Sequence, residues 1–144
     1  MSVSHILRGK SGGTITAKST DKVRSIAQTL AEKRIGAIVI VNKDGGIEGI
    51  VSERDVVRCI AKDGAAALDF AVSQVMTSKV KTCTESDSEI EIMALMTENR
   101  IRHLPVVNAG KLIGMISIGD VVKNRIEAIE REANDMKAYI ASAG

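Results

Sequence analysis

One phrase occurs twice in this chain and constrains its fold more than any other feature. Residues 49–57 read GIVSERDVV, and residues 114–122 read GMISIGDVV. Each copy predicts a short apolar strand, then Ser-x-x-Asp, then the first turns of a helix with an apolar face. A chain that repeats this strand-to-helix junction is expected to fold into two copies of one structural unit.

The repeat extends beyond this phrase. Thr16 matches Thr82 at a separation of 66 residues, and Asp55 matches Asp120 at a separation of 65. A segment at the N-terminus, residues 3–7, recurs as residues 72–76. This period is too long for a solenoid repeat, so we interpret the chain as a duplicated unit of roughly sixty residues.

The linker after the N-terminal segment is three residues longer in the first half, where Gly9, Gly12 and Gly13 lie. We therefore divide the chain into a first unit at residues 1–66, a second unit at residues 67–125 and a helical extension at residues 126–144.

Each unit predicts the order strand, helix, strand, strand, helix, which is a mixed α+β fold. In the first unit, residues 3–7 predict a helical turn that precedes a strand at 14–17. Residues 37–41 are apolar and β-branched, which predicts a strand buried on both faces. A hairpin turn at 42–46 then leads into an antiparallel strand at 47–52 and a helix at 53–62.

The remaining helix of each unit follows from apolar periodicity. In the first unit it opens at Asp21, and its expected buried face consists of Val23, Ile26, Ala27, Leu30 and Ala31. In the second unit it opens near Asp87, and its expected apolar residues are Ile90, Met93, Ala94 and Met96.

The last helix is predicted to run from Asp120 to about Ala141. Its apolar residues recur at spacings of four and three, as in a heptad pattern: Val122, Ile126, Ile129, Ala133, Met136 and Ile140. Glu127 and Arg131 have the spacing of a favourable ion pair on another face. Such a helix either lies on its own domain or contacts a partner chain, and we favour the partner because the first unit has no such extension.

The Ser-x-x-Asp sequence has two interpretations. The start of a helix presents free backbone N–H groups and a positive dipole end, which suits a phosphate, and a carboxylate beside it suits a ribose diol. The same sequence is also a capping box variant that needs no ligand. The recurrence of the pair, Ser52 with Asp55 and Ser117 with Asp120, favours the ligand interpretation.

Composition argues against several functions. The formal charge is only +2, and the aromatic residues are Phe70 and Tyr139, so neither bulk electrostatics nor base stacking predicts nucleic-acid binding. Cys59 and Cys83 form no metal-binding or disulfide pattern and are expected to be small buried residues.

Other classes are also disfavoured. The N-terminus has no signal-peptide h-region, and no apolar run is long enough to span a bilayer, so we expect a soluble cytoplasmic protein. The two histidines, His5 and His103, occupy non-equivalent places in the repeat, and no catalytic triad or metal cluster stands out. We therefore expect no catalytic residues, no metal site and no enzymatic activity.

At this point the residues resemble a known family. The duplicated junction, the strand sequence RHLPVV at 102–107 and the turn NAGKLIG at 108–114 resemble a tandem pair of CBS domains, or Bateman module. The resemblance covers about residues 3–125. With its long last helix, the chain is similar to small stand-alone bacterial signal-transduction proteins of this family.

The resemblance implies two units packed sheet to sheet about a pseudo-two-fold axis, with two clefts that bind AMP, ADP, ATP, NAD(H) or S-adenosylmethionine, often within a homodimer. Carried over to this sequence, Asp55 and Asp120 would bind ribose hydroxyls, and Ser52 and Ser117 would face phosphate. Backbone groups at Ala37, Ile38, His103 and Leu104 would contact adenine, with Thr16 and Thr82 bordering the base. Arg34, Arg54, Arg100, Arg102 and His103 would supply cations for phosphate, unless they form only a solvated surface.

The two clefts are expected to differ. His103 and Pro105 replace Ala37 and Val39, and the helix starts with Ile118-Gly119 in the second unit but Glu53-Arg54 in the first. Because Gly119 would let a phosphate approach the backbone, we expect the Asp120 cleft to be the better mononucleotide site. The predicted function is an energy or redox sensor. The alternative is an oligomerisation module with vestigial clefts.

Overall fold

The structure is a computed structural model that describes residues 1–10 and 13–143 of the chain. Gly12 of the predicted linker and Gly144 of the predicted extension lie outside the described residues. The helices and strands, in chain order, are α1 (Val3–Arg8), β1 (Thr16–Ala17), α2 (Val23–Lys33), β2 (Ala37–Val41), β3 (Ile47–Ser52), α3 (Glu53–Asp63), α4 (Glu89–Asn99), β4 (His103–Asn108), β5 (Lys111–Ser117) and α5 (Ile118–Ala143). Two short 3₁₀ helices, Gly64–Asp69 and Val72–Gln74, join the halves.

The predicted order of elements is confirmed in full only for the first unit. There β1 pairs parallel with β2, and β2 pairs antiparallel with β3. In the second unit β4 and β5 form the antiparallel hairpin. The expected first strand near Thr82 is wrong as a strand, because only a single parallel bridge joins Cys83 to Val106.

The β2 strand is buried on both faces, as predicted. Ile38 and Ile40 point into a core that α2 and α3 cover. Ala37 and Val39 are also fully buried, yet they belong to neither helix-covered core, because alternate strand residues point to opposite faces. This second face packs towards the other unit. Gly36, the residue before β2, lies against the His103 ring of the second unit.

Helices α2 and α4 each begin two residues later than predicted. Asp21 belongs to a turn, where its Oδ2 accepts a hydrogen bond from the Lys18 N–H at 2.9 Å. The α4 helix begins at Glu89, because Ser88 and Glu91 form a reciprocal capping box.

The predicted apolar face of α4 is wrong in part. Ile90 is 78% exposed and Met93 is 41% exposed, whereas Ile92 and Met96 are buried against the sheet. Ile92 and Met96 are the repeat equivalents of Ile26 and Leu30, which are buried in α2. Comparison with the repeat would therefore have predicted the correct buried face of this helix, whereas the local pattern of apolar residues predicted a face that is partly exposed.

Each unit is closed by a segment that precedes the other unit in sequence. Helix α1 packs in the second core, where the Val3 N–H donates a hydrogen bond to the backbone carbonyl oxygen of Asp87 at 2.9 Å. Its repeat equivalent, residues 72–76, packs in the first core, where the Val72 N–H donates a hydrogen bond to the backbone carbonyl oxygen of Asp21 at 2.7 Å. These matched hydrogen bonds are related by the pseudo-two-fold symmetry of the pair.

The glycine that opens each repeated phrase lies under this exchanged segment. An added Cβ at Gly49 would lie 2.6 Å from the Met76 sulfur and 2.9 Å from the Thr77 carbonyl oxygen. An added Cβ at Gly114 would lie 2.9 Å from a terminal carbon of Leu7. Leu7 and Met76 are repeat equivalents, so a glycine makes room for the exchanged segment at the same place in both units.

The last helix is confirmed, and it is longer than predicted at both ends. In the part of the chain that the structure describes, ion pairs join Lys10 to Asp120 and Arg24 to Asp69. The expected pair between Glu127 and Arg131 is therefore not formed; both side chains lie in solvent, where an ion pair stabilises little.

We predict that Gly49→Ala lowers the free energy of unfolding by about 1–3 kcal/mol, because the Thr77 carbonyl belongs to the backbone and cannot move aside easily. Gly114→Ala should cost less, since the flexible end of Leu7 can shift. Gly13→Ala is the control, because no atom lies within 4 Å of its added Cβ. Urea unfolding measures the three values, and equal midpoints for Gly49→Ala and Gly13→Ala would contradict the prediction.

Candidate ligand pockets

Two open pockets lie where the exchanged segments meet the helices that follow the repeated phrase. The first, here called the Asp120 pocket, has a volume of about 460 Å³ and is lined by His5, Ile6, Arg8, Gly9, Lys10, Asp120, Lys123 and Asn124. The second, the Asp55 pocket, has a volume of about 370 Å³ and is lined by Asp55, Arg58, Cys59, Lys62, Asp63, Phe70, Gln74 and Val75. Both volumes fall in the range of small-molecule sites.

The two pockets are repeat copies of one another. Five equivalent pairs line them: Asp120 with Asp55, Lys123 with Arg58, Asn124 with Cys59, His5 with Gln74, and Ile6 with Val75. A pocket that recurs at the same place in both halves is a feature of the fold and not an accident of local packing.

Each pocket carboxylate also caps its helix. Asp55 Oδ2 accepts a hydrogen bond from the Ser52 N–H at 2.8 Å, while the Asp55 N–H donates to the Ser52 hydroxyl at 3.3 Å. Asp120 Oδ2 accepts from the Ser117 N–H at 2.9 Å, and the Asp120 N–H donates back to the Ser117 hydroxyl at 3.1 Å. The capping interpretation of Ser-x-x-Asp is therefore confirmed.

Capping leaves part of each carboxylate for other partners. Every hydrogen bond that these two carboxylates accept is made by Oδ2, and within the described residues no hydrogen bond reaches Oδ1 of Asp55 or Asp120. One carboxylate can thus hold its helix start and accept a hydrogen bond from a ligand hydroxyl at the same time.

The two carboxylates differ in one contact. Lys10 Nζ lies 2.8 Å from Asp120 Oδ2 and also donates to the Met115 carbonyl oxygen at 2.8 Å. Partial burial alone would raise the pKa of Asp120, but the hydrogen bonds from Lys10 and the Ser117 N–H outweigh burial and lower it. Lys79, the repeat equivalent of Lys10, makes no ion pair within 4 Å among the residues that the structure describes.

The pockets also differ in formal charge. The Asp120 pocket sets three cations, Arg8, Lys10 and Lys123, against one carboxylate. The Asp55 pocket balances Arg58 and Lys62 with two carboxylates, Asp55 and Asp63. The Asp120 pocket therefore suits an anionic ligand, and the Asp55 pocket suits one with little net charge.

A buried polar pair lies beside the Asp120 pocket. The Asn124 side-chain amide donates to Glu89 Oε2 at 2.7 Å, and both residues are more than nine-tenths buried. Their repeat equivalents in the first unit are Cys59 and Val23, which are core residues. The second unit thus has a hydrogen bond between buried polar groups where the first has apolar core residues, and the buried Asn124 amide forms part of the wall of the Asp120 pocket.

His103 lies where the two units meet. An added Cβ at Gly36 would lie 2.9 Å from the His103 ring, so this glycine makes room for the imidazole. Burial lowers the pKa of His103, and Lys10 and Arg102 lower it further, while Asp120 and Glu53 act in the opposite direction. The charged groups that act on the imidazole therefore come from both units.

The other predicted site residues line neither pocket. Ala37, Ile38, Leu104 and Pro105 are buried in β2 and β4, and Thr16, Thr82, Arg54 and Arg102 are exposed. Ile118 and Gly119 open α5, and the Ile118 N–H donates to the Arg102 oxygen at 2.8 Å. Of the predicted set, Asp55 and Asp120 are the residues that line the two pockets.

Sequence reasoning missed most of the pocket walls. Arg8, Lys10 and Lys123 were not singled out, because segment 3–10 was expected to belong to its own unit and not to the other one. The matches of residues 3–7 with 72–76 and of Lys123 with Arg58 were available signals. Only the exchanged packing shows that these residues share a pocket.

The cysteines are buried, as predicted. Cys59 lies in the first core and Cys83 in the second. Burial raises the pKa of both thiols, that of Cys83 to about 12, so both stay protonated near neutral pH. No group of three or more potential metal-ligating side chains clusters anywhere in residues 1–10 and 13–143.

Comparison with known proteins identifies the family. A CBS domain model matches residues 13–62 and 72–127. The chain belongs to the CBS-domain family. A CBS-domain protein from Burkholderia ambifaria MC40-6 shares 45% identity with this CBS pair, covers 88% of this chain and 95% of its own, and superposes with a TM-score of 0.82.

Other relatives bear on ligands and compartment. The CBS domain protein PAE2072 from Pyrobaculum aerophilum, solved in complex with AMP, is 28% identical with a TM-score of 0.74, covering 83% of this chain and 89% of its own. The CBS pair of protein MJ0100, solved with 5′-methylthioadenosine and S-adenosyl-L-methionine, shares the fold at 22% identity and a TM-score of 0.79, over 89% of this chain and 98% of its own. The mitochondrial protein CBSX3 of Arabidopsis thaliana is 34% identical over 92% of this chain and 68% of its own length.

None of the helices in the described residues combines the length and apolar character that a bilayer span requires.

We predict that acid lowers the free energy of unfolding of this CBS pair, because His103 becomes protonated more readily in the unfolded chain. Because the pKa of His103 is lowered in the fold, the unfolded chain binds a proton more readily, and stability falls as the pH drops below about 6.5. His103→Gln should flatten the loss of unfolding free energy between pH 7 and pH 5. The contribution of Asp120 is lost only at lower pH, because its own pKa is lowered. Chemical unfolding across this range is the measurement, and parallel curves for variant and wild type would contradict the prediction.

Proposed function

We propose that this CBS pair is a regulatory module that binds adenine nucleotides, with AMP preferred in the Asp120 pocket, and that it has no turnover of its own. The observation that carries the proposal is the arrangement around Asp120. One carboxylate oxygen remains for ribose hydroxyls, and three cations line the same pocket. The AMP complex of a relative supports the choice of ligand class.

Charge matching supports a monophosphate. A phosphate monoester carries about two negative charges near neutral pH. The Asp120 pocket has an excess of two positive charges when Arg8, Lys10 and Lys123 are set against Asp120. A ribose diol that donates to the carboxylate would form charge-assisted hydrogen bonds, which are stronger and more directional than neutral ones.

Lys10 has a specific part in this proposal. In the structure it occupies Asp120 Oδ2, where it neutralises the carboxylate. When AMP binds, the ammonium group is expected to turn towards the phosphate, because a dianion attracts it more strongly than a capped carboxylate does. Lys10 would then link the ribose end and the phosphate end of one ligand.

The Asp55 pocket is proposed to take a nucleoside-type ligand or to bind nucleotides weakly, since its formal charges cancel. Two unequal affinities are therefore expected for AMP. Asp120, Lys123 and Asn124 all lie on the first turns of α5, so ligand binding has a direct path to the rest of this long helix. The proposed output is a change in what α5 contacts.

The alternative function is an interaction module whose pockets bind no nucleotide. The ion pair between Lys10 and Asp120 favours this alternative, because it already neutralises the charge of the carboxylate. Titration with AMP distinguishes the two functions, since only the regulatory module would bind it.

We predict that Asp120→Asn weakens the tighter AMP site about ten- to hundredfold, as expected for the loss of charge-assisted bonds worth about 1.5–3 kcal/mol. The asparagine oxygen can still accept from the Ser117 N–H, so the helix cap is largely kept. Asp87→Asn is the matched control, because Asp87 also accepts a backbone hydrogen bond, from Thr84 at 2.8 Å, but lies outside both pockets.

Calorimetric titration with AMP measures these affinities. Asp55→Asn should leave the tighter site unchanged. Wild-type affinity in Asp120→Asn would refute the ribose assignment, and a wild-type protein without heat of AMP binding at millimolar ligand would favour the interaction module.

We also predict that Lys123→Gln weakens AMP binding several-fold and leaves adenosine binding unchanged, because only AMP carries the phosphate that the cation attracts. Arg58→Gln, at the equivalent place in the Asp55 pocket, should leave the tighter AMP site unaffected. AMP affinity should also fall with added salt, while adenosine affinity should not. An equal loss for both ligands would show that Lys123 does not face the phosphate.

A further inference from the structure

Helix α5 carries an apolar stripe along most of its length, and no other part of the described residues covers it. The stripe consists of Val122, Ile126, Ile129, Ala133, Met136 and Ile140, and its large members are 49–62% exposed. The buried residues of α5 are Val121, Asn124 and Ala128. At 100° per residue, the stripe points roughly 125° away from these buried residues. The CBS pair therefore covers a different face of the helix.

The helix continues well past its last contact with the domain. Every residue from Ile129 to Ala143 is exposed, which corresponds to roughly 22 Å of helix. A helix of this length is marginal alone in water, and most helical stability comes from packing an apolar face. A helix that projects in this way needs a partner along its stripe.

We propose that the stripe pairs with the same stripe of a second copy of this chain, parallel and in register, as a two-stranded coiled coil. The inference is separate from the proposed nucleotide binding. The spacings of four and three place Ile126, Ala133 and Ile140 at one core position of the heptad and Val122, Ile129 and Met136 at the other.

The charges that flank the stripe favour this orientation. In heptad notation the first core position is a and the second is d, so position g precedes a and position e follows d. In a parallel pair, a g residue of one helix faces the e residue of the following heptad in the other helix. Arg125 then faces Glu130 of the second copy, and Glu132 faces Lys137 of the second copy. By symmetry each pair occurs twice, so four contacts join opposite charges.

The antiparallel arrangement that buries all six stripe residues is opposed by charge. It places Glu130 against Glu130, Glu132 against Glu132 and Lys123 against Lys137 of the second copy. Shifting the antiparallel register by one heptad relieves these contacts, but it leaves residues at one end of the stripe exposed. Only the parallel, in-register pair covers the whole stripe and matches its charges.

A cysteine cross-link tests the orientation in the full chain. In the parallel pair Met136 faces Met136 of the second copy, so Met136→Cys should form a covalent dimer under mild oxidation. In the antiparallel pair Met136 faces Ile126, and the two cysteines would be separated by about 15 Å, beyond the reach of a disulfide. Ala138→Cys is the control, because it lies on the opposite side of α5, and the native cysteines are buried.

Charge reversal tests the pairing independently. Glu132→Lys should weaken dimerisation about tenfold, because two attractive contacts become repulsive. Adding Lys137→Glu should restore it. Sedimentation equilibrium measures the affinity. The proposal is overturned by a monomeric wild type at micromolar concentration, by a Met136→Cys protein that cross-links no faster than Ala138→Cys, or by a Glu132→Lys dimer of wild-type affinity.

Discussion

The exchange of segments between the two units is the contact on which the rest of this structure depends. Leu7 packs over Gly114, and Met76 packs over Gly49, so one strand of each sheet is covered by a segment that precedes the other unit in sequence. Neither unit closes its core without this exchange, since Val3 and Ile6 lie in the second core and Val72 lies in the first. The pockets exist for the same reason, because each has one wall from the exchanged segment and one from the helix after the repeated phrase.

The repeated serine and aspartate serve the fold first. Their reciprocal hydrogen bonds satisfy backbone groups at the start of α3 and α5, which would otherwise lack partners. Capping occupies one carboxylate oxygen and holds the side chain at the mouth of a pocket, so it also positions the other oxygen for a ligand. The two interpretations of Ser-x-x-Asp are thus compatible, and a helix cap is a rigid base for a proposed ribose site.

Divergence between the copies explains why the pockets differ. The second unit has gained Asn124, Glu89 and His103 where the first has Cys59, Val23 and Ala37. It also pairs Asp120 with Lys10, whereas Asp55 has no lysine partner within 4 Å in the described part of the chain. These differences place polar groups beside the Asp120 pocket, and the positive charge of that pocket comes from Arg8, Lys10 and Lys123. The same half carries the longer helix, so the more polar pocket and the exposed stripe share α5.

The sequence alone determined the local structure of this protein. Strand β2, the hairpin, the capped helix α3 and the long α5 follow from apolar periodicity, turn residues and caps, which act within a few residues of one another. The duplication and the family resemblance likewise predicted the CBS pair and located Asp55 and Asp120. Tertiary structure decided which copy of the N-terminal segment completes which unit, and therefore that Arg8 and Lys10 line a pocket with Lys123. The two segments share one sequence pattern, so the pattern alone does not say which core each segment joins; long-range packing decides it, with Val3 and Ile6 in the second core and Val72 in the first.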